Sequence, residues 1–182
     1  MFYVGLDLGQ RRDFTALAVV EREGRELTVR HLERMELGTA YPRVVERVCA
    51  VLGDKRMAGG ARLVVDATGV GAPVVDLLRA AGMVGKMTAV TITGGERAAG
   101  QGERWRVPRG DLLAGIEVAL EAGELKICRG LKDAERLVRE LERMDADGGG
   151  GEHDDLVFAV ALAVWRARRA EVGLGVRAVL GF

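Results

Sequence analysis

The segment FYVGLDL, residues 2–8, is apolar on both of its alternating faces except at Asp7. A strand apolar on both faces belongs in the middle of a covered sheet. A carboxylate there is costly unless it is paired, hydrogen-bonded or bound to metal, and mid-strand carboxylates are depleted for that reason. The segment ARLVVDA repeats the pattern, with Asp66 at its end. Two buried strands that each finish in acid place both acids at the carboxyl edge of a sheet, where α/β proteins bind ligands.

The remaining pattern builds the layers around these strands. FTALAVVERE and RELTVRHLERM read as two further strands joined by a hairpin around Gly24. From Tyr41 to Leu52, Val44, Val45, Val48, Val51 and Leu52 recur at helical spacing. Gly69 and Gly71 punctuate the turn after ARLVVDA, Pro73 to Ala81 reads as a helix, and KMTAVTITGG as a core strand. Between Gly94 and Val107 the periodicity lapses, and the stretch is expected to be a mobile excursion. Pro108 opens a helix to about Ala122, ELKIC is a short strand, and Leu131 to about Met144 is an amphipathic helix. Asp147 to Gly151 is a glycine-rich break. The last element, from near His153 to about Arg169, is apolar almost all round, as a buried helix is. Hairpin-connected strands followed by βα units predict an α/β fold with a mixed sheet and helices packed against it.

Asp154 and Asp155 open that apolar helix, so a third element delivers acid to a potentially common point. Each acid has a simpler reading: Asp154 or Asp155 as a helix N-cap, Asp66 as an acceptor for the turn amides that follow it. Together they point to a hard divalent cation. Mg²⁺ takes oxygen ligands and keeps several waters, so a few aspartates suffice. Two such ions about 3.5–4 Å apart activate water and stabilise the leaving oxygen in phosphodiester hydrolysis.

Composition sets the limits. With 182 residues, 48% hydrophobic and 30% charged, the chain fits one ordinary globular domain. Residues 1–170 are expected to form it, leaving 171–182 as an unassigned tail. Aromatics are only 4%, so base stacking is not expected to carry nucleic-acid binding. The net charge is zero, so cations serving a polyanion must be local. Arg97, Arg104, Arg106 and Arg109 are the densest basic set, on or beside the 94–107 stretch, and are the expected DNA contacts. Cys49 and Cys128 form no C-x-x-C pair, which argues against zinc and disulfide scaffolds. The longest apolar run, Leu156 to Trp165, is too short to span a bilayer, and the N-terminus lacks a signal-peptide pattern. A cytoplasmic location and no membrane partner are the expectations.

Four strings occur in order: VGLDLGQRRDFTALAVV, LVVDATGVGAPVVDLL, VPRGDLLAGIEVALEAGELKI and EHDDLVFAVALAVW. Together they resemble the nuclease domain of the large terminase subunit of tailed bacteriophages, over nearly the whole chain from about Phe2 to Trp165. The motifs are moderately specific one by one; their order and spacing are more so. The resemblance implies a ribonuclease-H-like fold with a five-stranded type of sheet. It also implies a Mg²⁺- or Mn²⁺-dependent endonuclease, with two ions, that cuts concatemeric double-stranded DNA in the host cytoplasm. The family's catalytic, metal-holding acids fall on Asp7, Asp66 and the Asp154–Asp155 pair. Asp13 matches a recurring auxiliary aspartate, and His153 matches in type as a second auxiliary group.

The implied partners are a terminase ATPase domain, a small terminase subunit and a portal protein. One departure bears on them. The chain has no G-x-x-x-x-G-K-[ST], and its turn DATGVGAP lacks the lysine, so it is not expected to power translocation. An excised domain and a short stand-alone relative both fit. VGLDLGQRR also resembles the Holliday-junction resolvase group, but DATGVG and VPRGDLL favour terminase. Readings of another class are an actin-like nucleotide-binding lobe, which requires a second lobe, and a DNA-binding module without catalysis.

Overall fold

The computed structural model describes residues 1–9, 13–69, 71–146 and 154–179, with side chains described for all of these except 144–146 and 170–179. The chain opens with three strands, β1 (Phe2–Asp7), β2 (Ala16–Glu23) and β3 (Glu26–Arg34). β1–β2 and β2–β3 are antiparallel neighbours, the second pair turning at Gly24 with φ +59°. Helix α1 (Tyr41–Leu52) leads to β4 (Ala61–Asp66), α2 (Gly71–Ala80) and β5 (Met87–Thr93). Both βα crossovers return a parallel strand, β4 beside β1 and β5 beside β4. After β6 (Ala99–Gln101) and β7 (Arg104–Pro108) come α3 (Arg109–Glu121), β8 (Leu125–Ile127), α4 (Ala134–Ala146) and α5 (Asp155–Val179).

Among the described residues these strands form one mixed sheet of eight, in the order β6-β7-β5-β4-β1-β2-β3-β8. The five strands β3-β2-β1-β4-β5 make up the expected ribonuclease-H-like set. β7 and β6 extend one edge and β8 the other.

Two apolar layers cover the sheet. Val4, Leu6, Leu63 and Val65 pack with α1 and α2 on one face. Tyr3, Ala16, Ala18, Val20 and Val64 pack with α3, α4 and α5 on the other. From Leu156 to Trp165 every residue of α5 is buried, as its all-round apolar sequence predicts. The helix runs on to Val179, beyond the expected end near Arg169.

α5 lies directly on β1. A Cβ built on Gly5 would stand 1.8 Å from the carbonyl oxygen of Ala159, so only glycine fits beneath the helix backbone. Ala16 and Ala18 on β2 are also fully buried and small, and belong to the cluster under α5.

The expectation of a mobile excursion over 94–107 is corrected. β6 and β7 form a hairpin turning at Gly102, with φ +59°, and β7 pairs in parallel with β5 from Ala89–Arg104 to Thr93–Pro108. The clamp on this hairpin is aromatic: the Trp105 and Trp165 ring centroids are 5.8 Å apart, edge to face, with the Arg169 guanidinium 4.2 Å above the Trp105 ring. The alternation in RWRVP is the strand signal that the surrounding glycines obscure. The expected break at 147–151 falls outside the described residues.

The Gly5 contact generates a test. Gly5→Ala forces backbone against backbone and should destabilise the fold by about 3 kcal/mol or more, roughly 6–12 °C in Tm for a chain of this size. Gly115 of α3 has open space around its Cβ position. There the same change should instead raise Tm slightly, by relieving a helix glycine of about 0.5–1 kcal/mol. Thermal melts of both variants decide it; a Gly5→Ala variant as stable as the parent would refute the close approach.

Candidate active site

Side chains alternate between the faces of a strand. Tyr3, Gly5 and Asp7 therefore share the α5 face of β1, and Val64 and Asp66 share that face of β4. The parallel register Leu6–Val65 sets Asp7 and Asp66 side by side, one step further along adjacent strands. Their interaction favours the proton on Asp7 and disfavours it on Asp66. Burial, first, and then the charges of Asp66, Asp155 and Asp13 raise the Asp7 carboxyl well above the ordinary aspartate value. Burial also raises Asp66, against the pull of hydrogen bonds from Thr68. The Thr68 amide donates to Asp66 Oδ1 at 2.8 Å, the turn contact the sequence suggested.

Asp155 reaches this pair because α5 begins where β1 ends. The first turn of a helix presents amides that an N-cap side chain normally accepts. Here that acceptor comes from another helix. Glu140 of α4 is 3% exposed, and its Oε2 accepts from the amides of Leu156 at 3.0 Å and Val157 at 3.2 Å. The expectation that Asp154 or Asp155 caps α5 is thus met differently, and their carboxylates turn to cations. Arg34 Nη2 donates to Asp155 Oδ2 at 2.7 Å, and Arg109 Nη2 to Asp154 Oδ2 at 3.2 Å. Arg34, the last residue of β3, also stacks 3.8 Å over the Phe14 ring. Burial, above all, pushes the Glu140 carboxyl up to about 7.

Asp66, Asp155 and Asp13 thus all lie within electrostatic reach of Asp7. Asp154 is turned to Arg109, and His153 lies outside the described residues. Among the described residues no three acidic, cysteine or histidine side chains stand in the close grouping of a formed metal cage. The donors that converge are all carboxylate oxygens drawn from separate elements. That chemistry fits a hard dication such as Mg²⁺ or Mn²⁺, and the raised Asp7 carboxyl marks a place that lacks positive charge.

The four expected DNA-binding arginines are divided. Arg104 and Arg106 project from one face of β7, and with Arg79 of α2 they line a cavity of about 470 Å³ on the side of the sheet opposite Asp7 and Asp66. Arg97 is exposed in the bend before β6. Arg109 belongs to the acidic site, ion-paired to Asp154 and 4.5 Å over the Phe158 ring. Sequence reasoning missed Arg34, Glu140 and Arg79. Glu140 sits in the charged repeat of an amphipathic helix, where nothing local marks it as buried.

Residues 4–166 match a family described as the Terminase RNaseH-like domain. The large terminase nuclease of the thermophilic phage G20c, solved with bound magnesium, superposes with a TM-score of 0.61 at 22% identity, over 90% of this chain and 80% of that one. A manganese-soaked human cytomegalovirus terminase nuclease domain gives 0.57 at 18% identity, over 90% and 81%. The large terminase of another thermophilic bacteriophage gives 0.62 at 14%, over 90% of this chain but 38% of its own length. No curated protein sequence matches the chain.

The electrostatics predict a pH-dependent stability. The unfolded chain releases the Asp7 proton near 3.8 and the folded chain at a higher pH. Between the two the native state holds more protons, so stability falls as pH rises. Metal-free Asp7→Asn should therefore melt above the parent, with a gap that opens from about pH 4 upward and then levels. Each kcal/mol should read as roughly 2–4 °C in Tm. Melts across a pH series check this; a gap independent of pH means that Asp7 is not the strained carboxyl.

Proposed function

The chain belongs to the Terminase RNaseH-like domain family, and from that membership and the acidic site we propose that it is a divalent-metal-dependent endonuclease acting on double-stranded DNA. The observation that carries the reading is the approach of Asp66 and Asp155 to Asp7 from three elements at one sheet edge, with Asp7 raised by burial and then by its neighbours' charge. The chain has the fold of the solved terminase nucleases, and the family matched is terminase rather than resolvase.

Asp7, Asp66, Asp154 and Asp155 would hold Mg²⁺ or Mn²⁺, most simply two ions, with Asp13 and His153 as auxiliary groups. When bound, the ions supply Lewis acidity and an activated water for phosphodiester hydrolysis. The chain's own residues prepare the site. Strand ends fix Asp7 and Asp66, the α5 N-terminus presents Asp154 and Asp155, and Arg34 and Arg109 neutralise those two until cations replace them. Arg104 and Arg106 would hold the sugar-phosphate backbone without reading bases, with Arg97 at the rim and Arg109 nearer the acids. Residues 1–170 would be the nuclease unit, with 171–182 unassigned in role. A terminase ATPase domain, a small terminase subunit and a portal protein would be partners within a packaging machine in the host cytoplasm. Among the described residues no helix is long and apolar enough to cross a membrane.

Supercoiled plasmid with Mg²⁺ or Mn²⁺ should be nicked and linearised. Manganese should do at least as well as magnesium, since it takes the same oxygen ligands in less ideal geometry. EDTA or Asp7→Asn should reduce cleavage below detection; full activity in EDTA would end the proposal. Replacing Arg104 and Arg106 together by Ala should weaken duplex binding and flatten its salt slope by up to about 2 in log–log units, roughly 0.9 for each phosphate no longer neutralised. Mn²⁺ affinity should not change. Superimposable slopes would mean that β7 does not touch phosphate.

A further inference from the structure

One guanidinium lies between two buried carboxylates at the start of α5. The Arg34 side chain is 11% exposed, with Nη2 2.7 Å from Asp155 Oδ2 and Nη1 4.0 Å from Glu140 Oε1. The contacts are unequal. Among the described residues Glu140 Oε1 and Arg34 Nε have no hydrogen-bond partner, whereas Glu140 Oε2 is fixed by the Leu156 and Val157 amides. Glu140 therefore cannot swing away, and its free oxygen stays beside a cation held mainly by Asp155.

A buried polar atom without a partner costs about 1–3 kcal/mol, more when charged. Such an atom calls for an explanation, and a second arrangement that uses it is one. Arg34 has room for one: the shift that would close 4.0 Å to a hydrogen bond is about 1 Å, and the Phe14 ring gives its planar group a surface to slide on.

We propose that Glu140 is a positioning residue for the metal site, taking over Arg34 when Asp155 turns from that arginine to a divalent cation. The inference rests on Asp155 being a metal ligand. A dication arriving at Asp155 competes with Arg34, and a displaced, buried guanidinium without an acceptor would oppose binding. Glu140 Oε1 supplies the acceptor, and its tie to the α5 amides keeps the helix start in place during the exchange.

Calorimetric titration of Mn²⁺ into the DNA-free protein tests this. Glu140→Gln keeps a carbonyl acceptor for the two amides but removes the charge that receives Arg34. Mn²⁺ affinity should fall about tenfold, the scale of one charge-assisted hydrogen bond. In an Arg34→Gln background the same change should have no further effect, because Glu140 acts through Arg34. Equal losses in both backgrounds, or unchanged affinity in Glu140→Gln, overturn the proposal. Asp155→Asn separates it from its premise. If that variant binds Mn²⁺ as the parent does, the ligand reading itself fails. If it loses binding while Glu140→Gln does not, only the exchange fails. Should the Glu140 or Arg34 variants not fold, the parent decides: saturating Mg²⁺ should shift the Arg34 guanidinium signals in nitrogen-detected NMR, and unmoved signals refute the exchange.

Discussion

α5 rests on β1 backbone to backbone, and the position of Asp154 and Asp155 relative to Asp7 follows from that contact. The absence of a side chain at Gly5 lets the Ala159 carbonyl settle onto the strand. The alternation that points residue 5 at the helix points Asp7 at it too, two residues on, where α5 begins. A bulkier residue at position 5 would lift the helix and carry Asp155 away from Asp7. The apolar content of α5 serves this placement, since a helix buried from Leu156 to Trp165 cannot leave the sheet without exposing apolar surface.

Gathering carboxylates at one sheet edge is unfavourable, and the structure offsets it in three ways. Asp7 and Asp66 are buried side by side and hold their protons to higher pH than isolated aspartates. Arg34 and Arg109 neutralise Asp155 and Asp154 from separate elements, each stacked on an aromatic ring that covers one side of its guanidinium. Glu140 satisfies the α5 amides, so the two aspartates at the helix start need not. The acids are fixed by the fold, and the charges that offset Asp154 and Asp155 belong to arginine side chains.

The sequence made some of this legible for definite reasons. β1, β4 and α5 are apolar enough that an acid within them stands out, so Asp7, Asp66 and Asp155 were readable by contrast, and the hairpin at Gly24 and the crossovers followed from period and punctuation. The hairpin β6–β7 was not readable. Its strands are short and glycine-flanked, and its stability comes from Trp105 meeting Trp165, far away in the chain, a contact that no local window contains. Arg34 and Glu140 were hidden for the same reason. On β3 and α4 they look like ordinary surface charges, and only tertiary packing buries them together. The N-cap reading of Asp154 and Asp155 failed because a distant glutamate already satisfied those amides.

The β6–β7 hairpin changes how a neutral chain can meet a polyanion. Arginines on a mobile loop must be ordered at the moment of binding, and that lost freedom opposes affinity. On β7, Arg104 and Arg106 are held by pairing to β5 and by the Trp105 clamp, with Arg79 of α2 lining the same cavity. Their spacing along one strand face is set before any ligand arrives. β7 is the second strand beyond β4, and its arginines face α2, so this basic face lies on the opposite side of the sheet from Asp7 and Asp66. The zero net charge is therefore no obstacle to the proposed substrate. What matters is where the charge is concentrated: a phosphate backbone would have to cross the carboxyl edge of the sheet to meet both Arg104 and Arg106 on one face and the acids on the other.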